Sequence, residues 1–442
     1  MKLFENSAIL TLRNSYRGNL FLKKFAGVLS VDILVKASAL LLIPFYLRFM
    51  TQEEFGMYNY LLSIIQTFSL LLNFGLYIPQ TKLYPALKTA NEKGELLFTI
   101  FSTLLFLITL ISLSVVLFQW DFNLISLLFK NSPAYDQYRS FVLLSFPITI
   151  VSFMLTNYLY ASEKIQQVKT YNIYRIVFIN SAVLIALYYL NGDSVLVRLG
   201  FTYSVELILL LVLGYYLVKE LVPKFNFKLM WTSLKMGWPI MVSAMFGIII
   251  NFSDKFFLEK YGTLTDLSNY YLAFSFASII TLIFASLQNV WLPLFMKEQD
   301  LEKNIDKSKK LTSKLALYFA ILAICIWVGF CFLLWKGIIP HKYEDVVYIL
   351  PILLVTQIIT ALSTLFNNYL IYFEKTQFIS YTGLVVSFVS LGMGLWLIPI
   401  WGVYGAAVSS LISNCIYLII YYFLSLLFKK KQLKTVVSRA DF

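Results

Sequence analysis

Twelve stretches of about twenty mostly apolar residues, separated by short polar connectors, occupy nearly all of this chain, and that repetition restricts its fold more than any other feature. They fall near 26–48, 57–80, 95–118, 139–161, 171–190, 196–218, 238–258, 268–296, 313–335, 346–372, 379–400 and 404–428. A helix needs about 20 apolar residues to cross the hydrocarbon core of a bilayer. Of the 442 residues, 59% are hydrophobic and 13% charged, with a mean hydropathy of +0.75. One soluble core cannot hide that much apolar surface, so lipid is the expected solvent. The expected class is an all-α integral membrane protein with about 12 transmembrane helices.

The connectors are short and rich in turn residues, as in Asn191-Gly192-Asp193-Ser194 and Tyr261-Gly262-Thr263. None is long enough for a soluble catalytic domain; the longest on its side, near 119–138, has about 20 residues. Function is therefore expected among the helices. Cys325, Cys331 and Cys415 lie in apolar runs without metal spacing or a disulfide framework, and His341 is the one histidine. No cofactor and no metal site is expected, and no Gly-rich Lys motif points to ATP hydrolysis. No apolar region followed by a small-residue cleavage site marks a cleaved signal peptide.

Basic residues set the expected orientation. With both termini and the even-numbered connectors on one side, that side carries about 26 of the 36 Lys and Arg and the other about 8. The first group includes Lys2, Arg13, Arg17, Lys23 and Lys24, a cluster from Lys297 to Lys314, and Lys429-Lys430-Lys431; Lys36 and Arg175 fall inside spans. The asymmetry predicts that both termini are cytoplasmic. It also explains the net charge of +13 without nucleic acid, which is not an expected partner.

Two stretches repeat at one spacing. Asn157-Tyr158-Leu159 followed by Glu163-Lys164 recurs as Asn368-Tyr369-Leu370 followed by Glu374-Lys375, an offset of 211, and the same offset carries Tyr60-Leu61 onto Tyr271-Leu272. Two six-helix halves running the same way through the membrane are the expected result, with a shared pathway at their interface. The boundaries read as 1–218 for the first bundle, 219–237 for a cytoplasmic linker, 238–428 for the second bundle and 429–442 for a basic tail.

Leu397-Ile398-Pro399-Ile400-Trp401-Gly402-Val403-Tyr404-Gly405-Ala406-Ala407 resembles the Ile-Pro…Gly-x-x-Gly-Ala-Ala turn before the last helix of polysaccharide (O-antigen) flippases. These belong to the multidrug/oligosaccharidyl-lipid/polysaccharide exporter superfamily. Gly237-Trp238-Pro239, Asp254-Lys255, Trp291-Leu292-Pro293 and Thr51-Gln52-Glu53-Glu54-Phe55-Gly56 are similar to the same family, and the likeness in length, helix count and loop sizes covers nearly the whole chain. As tight turns, helix contacts and kinks, the glycines and prolines also have a packing reading. The resemblance implies a MATE-like fold of two six-helix bundles around a cavity that opens alternately to the two sides. It implies a substrate of oligosaccharide on an undecaprenyl diphosphate carrier, moved across the cytoplasmic (inner) membrane for O-antigen, capsule or other surface glycans. Glycan polymerase and glycosyltransferases of the same pathway are the partners it implies.

Charge inside a span is costly and marks candidate function. Asp32 and Lys36 share a face of the first span, roughly 9 and 15 Å deep. Glu206 lies at similar depth in the sixth span, Arg175 about one turn inside the fifth, and Asp254 and Lys255 near the end of the seventh. The candidate substrate-binding cations are Lys36, Arg175 and Lys255, holding a diphosphate or acidic sugar. The candidate carriers of a coupling H+ or Na+ are Asp32, Glu206 and Asp254. The plainer readings are snorkelling for Arg175, Lys255 and Arg198, and a self-neutralising pair for Asp32 and Lys36. Tyr158, Tyr160, Tyr369 and Tyr372 offer faces for sugars, or simply pack. Competing functions are a cation-coupled multidrug antiporter of the same superfamily and a membrane-embedded glycan polymerase or glycosyltransferase. The basic residues weigh against the first; the lack of a long outer loop or catalytic carboxylate motif weighs against the second.

Overall fold

The computed structural model describes residue 38 and residues 40–130, 135–190, 192–298 and 300–440. Asp32 and Lys36 lie outside the described residues. Within them, every regular element is helical. The first apolar stretch ends in α1 (Leu40–Phe49). There follow α2 (Gln52–Leu72), α3 (Tyr77–Leu83), α4 (Ala90–Phe118), α5 (Trp120–Leu128), α6 (Tyr135–Ala161), α7 (Ile165–Tyr189) and α8 (Ser194–Val218). The chain continues through α9 (Phe227–Tyr261), α10 (Leu264–Lys297), α11 (Leu301–Trp335), α12 (Val346–Tyr372) and α13 (Gln377–Ala440). Among the described residues ten helices are long and apolar enough to cross a membrane. The last of them is two arms broken at Gly402 (φ 52°, ψ −127°), which makes eleven apolar arms; most of the first apolar stretch, the expected twelfth, lies outside the described residues.

Three details depart from the hydropathy pattern. The second stretch is interrupted where Phe74 (φ 53°) and Gly75 (φ 67°) turn left-handed and the buried Asn73 side chain accepts the Gly75 N–H at 2.8 Å. The connector near 119–138 contains the helix α5, entered through a left-handed Gln119. Helices α9 and α11 begin well before their apolar stretches because Asn226 and Asp300 cap them, with side-chain oxygens accepting N–H groups of Lys228 and Lys303 at 3.0 and 3.1 Å. Caps, rather than hydropathy, decide where these helices start.

The sequence repeat is a structural one. Helices α6 and α12 stop at positions 211 apart, Ala161 and Tyr372. Each closes with a left-handed glutamate, Glu163 and Glu374, both at φ 57°. In each turn the next lysine N–H reaches back to a leucine carbonyl: Lys164 to Leu159 at 2.8 Å, and Lys375 to Leu370 at 2.7 Å. The second helix of each half, α2 or α10, opens with a capping box, Thr51 with Glu54 and Thr263 with Asp266.

These two equivalent helices also pack on each other. A Cβ on Gly56 would lie 2.1 Å from the Leu264 carbonyl oxygen, so only glycine allows this approach. Farther along, Tyr271 OH and Ser63 Oγ are 2.8 Å apart. Around the same end, Gln52 donates to Asn269 at 3.2 Å and to the Lys342 carbonyl, Lys342 Nζ donates to the Met50 carbonyl at 2.8 Å, and Arg48 donates to the Gly337 carbonyl at 3.2 Å. The Lys130 N–H donates to both oxygens of Glu259 at 2.8 and 3.0 Å. All of these residues belong to odd-numbered connectors or the helix ends beside them, so the basic-poor end of the molecule is laced shut.

Candidate functional site

Two of the intramembrane charges of the first half, Arg175 and Glu206, meet in one cluster. Glu206 on α8 is 2% exposed, and three side chains donate to it. Ser152 on α6 and Tyr171 on α7 donate to Oε1 at 2.6 and 2.8 Å, and Arg175 Nε on α7 donates to Oε2 at 2.7 Å. Sequence places Arg175 and Glu206 in different spans with separate roles; the structure makes them one ion pair. A carboxylate so deep is tolerable only with that cation and those hydrogen bonds. Of the Arg175 side chain, 45% stays accessible. Its two terminal amino groups have no hydrogen-bond partner among the described residues.

In the second half, Asp254 and Lys255 on α9 are 6% and 7% exposed. Lys255 Nζ lies 3.0 and 3.3 Å from the two Asp254 oxygens and donates to the Asn251 carbonyl at 2.7 Å. Tyr270 OH donates to the other side of Asp254, and the ammonium sits over the Phe274 ring, 5.0 Å from its centroid. The lysine is turned inward onto its neighbour, not snorkelling to an interface. Arg198 does not snorkel either: its guanidinium is held between the rings of Tyr46 and Tyr58, each centroid 3.8 Å away. The two pairs, Arg175–Glu206 and Asp254–Lys255, lie in different halves, and among the described residues no bond joins them.

The tyrosines weighed as sugar platforms divide differently. Tyr158 is buried at the basic end, donating to Glu220 and accepting from Lys164 Nζ at 2.7 Å. Tyr369 is 2% exposed beneath Lys429, 3.6 Å from the ring centroid, and Tyr372 OH donates to the Glu298 carbonyl at 2.9 Å. All three are tied into polar contacts at the basic end of the bundles, where Tyr158 also lines a cavity of about 180 Å³ with Lys164 and Glu220.

One feature was not anticipated from sequence. Helices α9, α10, α12 and α13 enclose a cavity of about 430 Å³ whose wall is mostly amides and hydroxyls. Its principal stripe is Gln357, Thr360, Thr364 and Asn367, one polar residue every three or four positions along α12. That 3.6-residue period was readable, but uncharged polar residues blend into an apolar average.

At the basic-poor end, burial pulls the pKa of Lys342 below the usual lysine value, while the nearby Glu54 carboxylate pushes it back up. At the basic end, Lys307, 2.5 Å from Glu298, holds that carboxylate below its ordinary range. Among the described residues no group of three or more His, Cys, Asp and Glu is placed to hold a metal ion.

The fold is shared with solved transporters. A lipid II flippase, MurJ, in an inward closed conformation superposes with a TM-score of 0.61 at 16% identity, covering 96% of this chain and 92% of that one. A multidrug resistance MATE family transporter of the MOP superfamily superposes in its inward-facing conformation with a TM-score of 0.63 at 13% identity, over 93% and 99% of the two chains. An outward-facing MATE structure gives 0.61 at 11% identity, over 93% and 96%. At such identities these likenesses establish the fold alone. No curated protein sequence matches the chain. The model of a family described as polysaccharide biosynthesis protein matches residues 21–299, which take in the helices α1 to α10. With its long apolar helices, its two equivalent halves and that match, this chain is a multi-pass membrane protein of the polysaccharide biosynthesis family, built on the fold of the MOP transporter superfamily.

Proposed function

We propose that the protein is a flippase that carries undecaprenyl-diphosphate-linked oligosaccharide across the cytoplasmic membrane for surface polysaccharide such as O-antigen or capsule. The bundles at 1–218 and 238–428 rock against each other, with 219–237 as linker and 429–442 as tail, both termini cytoplasmic. In that orientation the laced end faces outward. The observation that carries the reading is Arg175, a cation inside a span whose amino groups make no hydrogen bond to the described residues. An anionic head group can enter a low-dielectric space cheaply only where a cation already waits. Glu206 keeps that cation in place while the site is empty, and a coupling H+ or Na+ competes with Arg175 for the same carboxylate. Lys36 and Asp32 join the site on sequence grounds alone, and Lys255 and Asp254 form a second charge pair for the same cycle.

The test compares Lys36→Ala, Lys36→Arg and Arg175→Ala at matched membrane levels. The alanine variants lose export of surface glycan, and Lys36→Arg keeps part of it because positive charge is the property required. Normal export by a well-expressed Lys36→Ala/Arg175→Ala double variant contradicts the anion site. Transport of lipophilic cations by that purified protein would then favour a drug antiporter.

A further inference from the structure

The 430 Å³ cavity in the second half is expensive to keep inside a membrane bundle, and two of its groups stand without partners. Gln357 is 7% exposed, and its amide makes no hydrogen bond to the described residues. The Oδ1 of Asn367, ten positions along the same face of α12, is fully buried and also unpartnered. Leaving such groups unmet costs stability unless something polar fills the space. The rest of the wall has capacity to spare: Asn251, Ser410 and Asn414 face the same space, and Tyr417 and Tyr421 supply ring faces.

The charge on the wall decides what kind of ligand fits. Both oxygens of Asp254 are engaged by the Lys255 ammonium, and Tyr270 donates to one of them as well. A metal ion would have to displace an ammonium that is already in place. That ammonium is in turn committed to Asp254 and the Asn251 carbonyl, so a diphosphate finds no open cation. What remains is neutral, with amides and hydroxyls that both donate and accept, matched to a ligand whose hydroxyls do the same. The volume lies within the roughly 300–1,000 Å³ usual for small-ligand sites.

We infer that this cavity is a binding site for uncharged sugar residues, separate from the Arg175 site that takes the charged head group. The inference rests on the flippase reading and divides the substrate between the halves: diphosphate against the first, a stretch of glycan within the second. Binding there satisfies Gln357 and Asn367 when glycan is present and leaves them unmet when it is absent. The second bundle thus registers whether the carrier is loaded.

The experiment uses the full-length protein in detergent, with free galactose, N-acetylglucosamine and fucose as probes in saturation-transfer NMR. Wild type transfers saturation to at least one of them. Gln357→Met and Asn367→Leu, which keep volume and remove the unmet amides, weaken that binding at least tenfold while the sugar-free thermal midpoint holds or rises. Three results overturn the site: no sugar bound by wild type, binding unchanged in both variants, or a sodium-23 signal that depends on Asp254 with no sugar signal. Surface glycan in a deletion strain separates this inference from the reading beneath it. Export that survives deletion removes the flippase reading and the sugar site with it. Export lost on deletion but fully restored by the Gln357→Met/Asn367→Leu double variant removes the sugar site alone.

Discussion

Arg175 on α7 and Glu206 on α8, 31 positions apart in sequence, meet with Nε 2.7 Å from Oε2 inside the first bundle. Removing the arginine strands a carboxylate that is 2% exposed. Breaking a fully buried pair costs about 3–5 kcal/mol, and the open face of Arg175 places Arg175→Ala at the lower end of that range. Glu206→Gln keeps acceptors for Ser152 and Tyr171 and should cost less. An Arg175→Met/Glu206→Met double variant should recover most of the stability and none of the export. Thermal midpoints of the purified variants, set beside surface glycan at matched expression, check both halves of the statement.

The laced end should open during transport. Gln52 and Asn269 approach within 3.2 Å across the α2–α10 contact. A Gln52→Cys/Asn269→Cys variant bridged by a short bifunctional thiol reagent should stop export, while the unbridged variant keeps it. Export that continues through complete cross-linking would mean that these helices stay together throughout the cycle.

Two glycines near the last turn should fail for different reasons. Gly402 sits at φ 52°, ψ −127° with open space around it, so Gly402→Ala carries backbone strain alone, about 1–3 kcal/mol. Gly405 has no such strain, but a Cβ there would lie 2.2 Å from the Leu397 carbonyl oxygen. Gly405→Ala must therefore push the two arms of α13 apart, and its loss of thermal stability should be the larger. Equal losses would argue against the steric account.

Orientation is testable separately. Reporter fusions at the C-terminus and in the 297–312 connector should read as cytoplasmic, and fusions near 121–136 and 336–345 as external. The prediction rests on the 26 to 8 asymmetry of basic residues. An external reading for 297–312 would break the twelve-crossing arrangement.

What the sequence revealed follows from what leaves a periodic or positional mark. The crossings were legible from apolar length, and the duplication from Asn157-Tyr158-Leu159 and Asn368-Tyr369-Leu370, which close equivalent helices α6 and α12. The glycines of the last turn were legible too, because left-handed backbone and close helix approach admit few other residues. Partnership was not. Glu206 and Arg175 could be marked as costly, but nothing in either span says that α7 and α8 present them to each other. Lys255 read as a cation able to reach an interface; only the fold shows it folded back on Asp254. The amides of α12 went unremarked because Gln357 and Asn367 are neutral, and hydropathy averages absorb them. The break at Asn73 depends on a side chain accepting the N–H of Gly75, a local contact that an apolar run conceals.

The central claim, that this protein turns a lipid-linked glycan from one face of the membrane to the other, is tested most directly by the sidedness of that glycan in cells lacking the protein. Lipid-linked oligosaccharide should accumulate, inaccessible to an impermeant glycosidase or lectin in intact cells and accessible in inverted vesicles, and restoring the wild-type protein should return it to the outer face. Accumulated carrier that is accessible from outside in the absence of the protein, or no accumulation while surface glycan persists, would contradict the account.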